Sequence, residues 1–405
     1  MFVRLPKPML LFMTNIQKAR FAVFTYFLLC GAAVTIWATH IPDVESRLGL
    51  THGQIGTIIL LLGAGALASM QFLGAWVDKY GSAKTLVGIS VALGASLMLP
   101  GFAFDFWSLA ISIFILGACI GGTDIAMNAH ALVVEQAYKR PIFSAFHAMW
   151  SIGGVIGSLV VSATLGADLY LGFKIPMPAT MSAWGLLTVL IALMLKSWLL
   201  PAEPQQSSTS DSRSKPGAKE FGFVLFVGTV SAAGAMVEGV GIDWSALYAV
   251  DKYQTTTATA AISVTMFAGA MALVRFFADK VVAKFGRIFV IQVGAAIAAL
   301  GIVIALTSPT VEISWLGWAV SGIGISAVVP QCMAFGSEIG PKENQGRNLA
   351  KVVGLTYAGV LGGPAIIGFV AQAIGLPSAL TLGVGLAAFV TIGAFFMSKG
   401  KKQLG

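Results

Sequence analysis

The sequence predicts an all-α polytopic membrane protein with twelve transmembrane helices in two pseudo-symmetric six-helix halves, and three observations lead there. Of its 405 residues 57% are hydrophobic and only 10% charged, against roughly a quarter charged in soluble domains. The apolar residues gather into twelve stretches centred from near Cys30 to near Ala388, each able to supply the about 20 residues that cross a hydrocarbon core. A charged loop after the second stretch returns after the eighth, half a chain later. Such a return at matched positions marks a duplicated six-helix unit.

The halves are expected at residues 1–199 and 221–405, joined by a flexible cytoplasmic linker at 200–220 that is rich in Ser, Gln and Pro and has no apolar period. A net charge of +8 raises the question of a nucleic-acid partner, but charge in a membrane chain must first be sorted by side. With both termini cytoplasmic, only Arg47, Lys174 and Lys252 of the 25 Lys and Arg lie outside. That asymmetry sets the orientation and accounts for the basic balance without nucleic acid. The expected location is a bacterial inner membrane, with the lipid bilayer, a small-molecule solute and protons as partners and a monomer as the unit.

Taken in order, helix 1 is expected to close at Pro42 and to be kept rather than cleaved, with His40 at the interface and Trp37 just inside. Helix 2 carries the small run Gly63–Ala66, which lets a neighbouring backbone approach. It leads into an inner loop with Gly74, Asp78, Lys79, Gly81 and Lys84, and the second copy of that loop holds Arg275, Asp279, Gly286 and Arg287. These residues suit a latch: an acid for a helix N-terminus or a basic partner, a glycine for the tight turn, and a base at the next helix. Cys30, Cys119 and Cys332 fall within apolar segments without disulfide or metal spacing.

Helix 4 holds the most expensive residues of the chain. From Phe106 to Val134 only Asp124 is charged, and an ionisable group at that depth marks a solute or ion pathway by default. Asn128, four residues on, shares its face, whereas His130 points elsewhere and reads as a packing residue. On helix 5, His147 reaches the level of Asn128, and Trp150 lies one turn further in. Helix 7 carries Glu238 and Asp243 with Gly239 and Gly241 between them and Trp244 after, which suggests a bent, cavity-lining segment. Gln331 of helix 10 and Tyr357 of helix 11 complete the candidates. The alternative readings are a buried polar packing contact for Asp124 and His147, an outer-interface residue for Asp243, and packing or an interface belt for Trp37, Trp150, Trp244 and Tyr357.

The loop Gly-x-x-x-Asp-Lys-x-Gly-x-x-Lys from Gly74 to Lys84 resembles the signature of the major facilitator superfamily, which implies that fold and transport by rocking of the halves. Asp124-Ile125-Ala126-Met127-Asn128 resembles helix 4 of the proton-coupled fucose permeases, and Phe146-His147, Asp243-Trp244 and Val329-Pro330 resemble YbjJ-like carriers. The resemblance implies proton coupling at Asp124 and solute contact at Asn128. Ala38 replaces the permease's helix-1 acid.

The resulting expectation is proton-coupled symport of a small polar, sugar-like solute. Asp124 and Glu238 are the expected proton sites, and Trp37, Asn128, His147, Trp150, Asp243, Trp244, Gln331 and Tyr357 the solute contacts. A drug or metabolite efflux antiporter and a non-transporting sensor are the other readings. Helix 5 lacks the Gly-Pro run usual in such antiporters, and no soluble signalling unit stands out. No nucleophile elbow, phosphate loop or metal-ligand spacing points to an enzyme, and no cofactor is expected.

Overall fold

The computed structural model describes residues 14–139, 142–167, 172–173, 175–201, 218–340 and 345–404. The expected linker lies mostly outside them, as does Lys174. Among the described residues twelve helices are long and apolar enough to cross a membrane. They are α1 (Asn15–Leu48), α2 (His52–Val77), α3 (Ser82–Phe102), α4 (Phe106–Tyr138), α5 (Ala145–Leu165), α6 (Met177–Trp198), α7 (Lys219–Tyr253), α8 (Thr257–Arg275), α9 (Arg287–Thr307), α10 (Val311–Ser337), α11 (Lys351–Ile374) and α12 (Leu376–Gly400). The end where α1 begins and α12 finishes is called inner here, and the opposite end outer.

Pro42 does not close α1. The helix breaks at His40 and resumes as Ile41–Leu48, with the proline in the first turn of the new segment, where its missing N–H costs nothing. His40, at the break, is fully buried, with Nδ1 3.9 Å from Asp43 Oδ2. The long α4 starts from Asp105, whose Oδ1 accepts a hydrogen bond from the Ser108 backbone N–H at 2.8 Å. These bonds hold the Asp105 carboxyl below the usual carboxylate range. Two breaks are built into the second half: a π-helical turn at Val240–Trp244 in α7, and an interruption of α10 before Val328.

Glycines set the helix crossings, and the crossings repeat. A Cβ on Gly153 of α5 would collide with the backbone of Leu28 in α1, and one on Gly359 of α11 with that of Ala232 in α7. Likewise Gly117 of α4 meets the Leu62 carbonyl in α2, and Gly322 of α10 meets that of Phe267 in α8. Each half thus packs its first helix on its fifth and its second on its fourth, by backbone approach that only glycine permits. The loops repeat too: Gly81 and Gly286 sit at φ 82° and 83°, conformations that favour glycine.

The halves meet at their outer ends. Gly56 of α2 packs against Gly368 of α11. Ser162 Oγ of α5 donates to the Ala258 carbonyl of α8 at 3.0 Å, and Thr265 of α8 donates to Ser158 Oγ at 2.8 Å. The arrangement is closed on the outer side.

Candidate functional site

Between the halves lies a cavity of about 350 Å³, bounded by Val34 of α1 and Ile59 and Leu62 of α2 on one side and by residues of α7, α10 and α11 on the other. Its wall is apolar except for a few groups, and the two acids among them come from the break in α7. Glu238 and Asp243 reach it from the two ends of the bend in α7, and Tyr357 and Thr356 from α11. A π-helical turn widens the helix by one residue and aims side chains that a regular helix would not. Here it lets two carboxylates five residues apart line one cavity.

The two carboxylates are not equivalent. Arg275 of α8 places Nη2 3.3 Å from Glu238 Oε1, Nη1 3.1 Å from Ser151 Oγ of α5, and Nε 3.2 Å from the Ser326 carbonyl of α10. Glu238, expected as a proton site, has its charge matched by a guanidinium that also bridges to the other half. Arg275, expected as part of an inner latch, is instead a core residue, with about a fifth of its side chain exposed. Asp243, expected as a solute contact, lies within electrostatic reach of Glu238 and has no hydrogen-bond partner among the described residues. In the first half, Asn128 Nδ2 donates to Asp124 Oδ1 at 3.0 Å and to the Asp124 carbonyl at 2.8 Å, so the pair does share a face. Cys30 of α1 and Tyr357 of α11 lie within electrostatic reach of Asp124.

The other candidates divide. Trp37 and Trp244 are buried, 1% and 0% exposed, and offer no ring face to a solute in this arrangement. Trp150 is half-buried, and its backbone packs against Gly31 of α1. The exposed His147 ring lies 5.2 Å from that of Phe27. Gln331 is committed elsewhere: its Oε1 accepts from Arg287 Nη1 at 2.7 Å, and Arg287 Nη2 reaches Glu338 at 2.9 Å. The first half has the matching contact, Ser82 Oγ to His130 Nδ1 at 3.0 Å. In both copies the residue after the loop glycine is pinned to a polar side chain of the half's fourth helix. Lys79 lies over the Tyr80 ring at 5.1 Å, Lys84 is exposed, and Gly74 has open space around it. The side chains of Asp78 and Asp279 lie outside the described ones.

Twelve spanning helices in two repeated halves, with a cavity carrying acids between them, define a membrane carrier. The Major Facilitator Superfamily profile matches residues 22–250 and 222–404, and the chain belongs to that superfamily. It is 30% identical over 348 residues to an uncharacterized MFS-type transporter of Yersinia pestis, covering 85% of this chain and 87% of that one. An uncharacterized transporter of Sinorhizobium fredii is also 30% identical, over 86% of this chain and 89% of its own. A solved structure of a mutant nucleoside transporter NupG superposes with a TM-score of 0.76 at 15% identity, over 95% of this chain and all of that one. The protein is an MFS-type membrane transporter, not an enzyme.

Proposed function

We propose that the protein is a proton-coupled symporter of a small polar solute, working by alternating access in a bacterial inner membrane with both termini cytoplasmic. The observation that carries this reading is the inequality of the acids at membrane depth: of the two that line the cavity, Glu238 is charge-matched by Arg275 and Asp243 has no partner among the described residues, while Asp124 of α4 has only a neutral amide. An unmatched carboxylate away from bulk water is costly to keep charged. Taking up a proton removes that cost, and a solute that bonds the neutral form binds together with the proton. Asp124 in the first half and Asp243 in the second are the proposed proton sites, and Asn128 and Tyr357 the proposed solute contacts. The inner loops are the proposed latch of the opposite, outward-open state. The domain bounds at 1–199 and 221–405 rest on the repeat of the crossings.

The wholly apolar patches of the wall, among them Val34, Ile59, Leu62 and Met333, favour a second reading: export of an amphipathic solute in exchange for protons. The test begins with a thermal-shift screen of the purified protein across sugars, sugar acids, nucleosides, vitamins and amphipathic amines, since a ligand of the native state raises the melting point. Adding a hit outside proteoliposomes should then alkalinise the external medium, as symport draws protons in with solute. External acidification indicates exchange, and no proton movement overturns both readings.

A further inference from the structure

The outer closure contains a contact that the transport reading does not use. His52 begins α2, and its ring stands between carboxylates from opposite halves. Nδ1 lies 2.7 Å from Glu45 Oε1 in its own half, and Nε2 lies 3.1 Å from Asp251 Oδ2 at the outer end of α7. A neutral imidazole has one N–H, so with a carboxylate at each nitrogen it would turn a lone pair onto an ionised oxygen. Both contacts are attractive only if the ring carries two protons or one carboxyl carries its own. Either way the triad holds one more proton than a neutral histidine and two free carboxylates hold.

We propose that Glu45, His52 and Asp251 form a proton-binding site that is complete only while the outer mouth is closed, so that opening the mouth releases a proton to the outer medium. The three side chains are 15%, 22% and 29% exposed, sheltered enough to feel one another and open enough to exchange protons. Among the described residues no other charge supplies the balance. Arg47, on the same short helix as Glu45, donates to the carbonyls of Gly101 and Pro100. Lys252, next to Asp251, donates to those of Leu306 and Ser308 at 2.6 and 2.9 Å. Asp43 faces His40 at 3.9 Å. Gln372 of α11, which lines the same hollow as Glu45 and His52, is uncharged, and neither the start of α8 at Thr257 nor that of α12 at Leu376–Ala379 carries a charge near it. Among the described residues the second carboxylate therefore has only the imidazole to offset it.

The sign follows from the geometry. Moving Asp251 away with the second half leaves His52 with Glu45 alone, so the open state binds protons less well. Acid outside favours closure, and raising the outer pH favours opening, by up to about tenfold in the open-to-closed ratio per pH unit if one proton is released. This site is separate from Asp124 and Asp243, and its test needs no solute.

Spin labels at Ser46→Cys and Gln254→Cys, in protein whose Cys30, Cys119 and Cys332 are replaced, report the distance across the outer mouth. Measured about two units either side of the ordinary histidine value near 6.5, otherwise unaltered protein should gain long distances at the higher pH. His52→Gln should be flat across that range. His52→Lys, a permanent cation, should keep the short distance at both pH values. Asp251→Asn, which removes the cross-half partner, should show long distances and a weaker response to pH. A distance independent of pH with His52 in place, or a response that survives His52→Gln, overturns the proposal. Should His52→Gln prove unfolded, His52→Lys decides alone: opening at high pH in that variant contradicts the proton site.

Discussion

Arg275→Ala should be among the most damaging single substitutions in the second half. It leaves the Glu238 carboxylate without its guanidinium and removes the donors to Ser151 and Ser326. Breaking a mostly buried pair by removing one partner costs on the order of 3 kcal/mol, because the remaining charge is stranded. Removing both charges at once strands nothing. Arg275→Gln with Glu238→Gln should therefore recover most of the melting temperature lost in Arg275→Gln alone. Equal losses in the single and double variants would mean that the pair is not the reason Arg275 matters. Lys280 and Lys284, exposed on the inner extension of the same helix, should tolerate alanine.

The second large effect is expected at a crossing. A side chain at Gly153 meets the α1 backbone at Leu28, which cannot swing aside as a flexible side chain would. Ordinary overpacking costs about 1–3 kcal/mol, and a leucine driven into backbone lies at or beyond the top of that range. Gly153→Leu should yield no monodisperse protein in detergent. Gly88→Ala, in α3 with nothing within 4 Å of the added carbon, should be neutral or stabilising by about 0.5–1 kcal/mol. If Gly153→Leu purifies like the parent, the α1–α5 crossing is looser than described.

These two sites show where sequence reasoning reaches its end. The twelve spans were readable because apolar length is a local property, and the Asp124–Asn128 contact because four residues in a helix always share a face. The duplicated loop was readable as a pattern, and its two glycines do take the same left-handed conformation. Arg275 was misread because it sits within that pattern yet lies far enough up α8 to reach Glu238, a distance fixed by how α7 and α8 cross. Trp37 and Trp244 are expected as solute contacts but are buried, because burial depends on neighbours that the local sequence does not name. Glu238 and Asp243 could not be told apart for the same reason: only the π-helical turn and the position of Arg275 separate the matched acid from the unmatched one. His52 passed unnoticed at a helix start, since its cross-half partner Asp251 lies about half a chain away.

The central claim is that a carboxylate at membrane depth, Asp124 first among them, carries the coupled proton, and Asp124→Asn tests it most directly. Asparagine keeps the size and hydrogen-bonding capacity of the protonated acid but has no proton to release. Once the thermal-shift screen supplies a solute, reconstituted Asp124→Asn should still exchange labelled for unlabelled solute, which needs no net proton movement, and should fail to concentrate it under an imposed pH gradient. Uphill accumulation by Asp124→Asn at the rate of the unaltered protein would contradict the account.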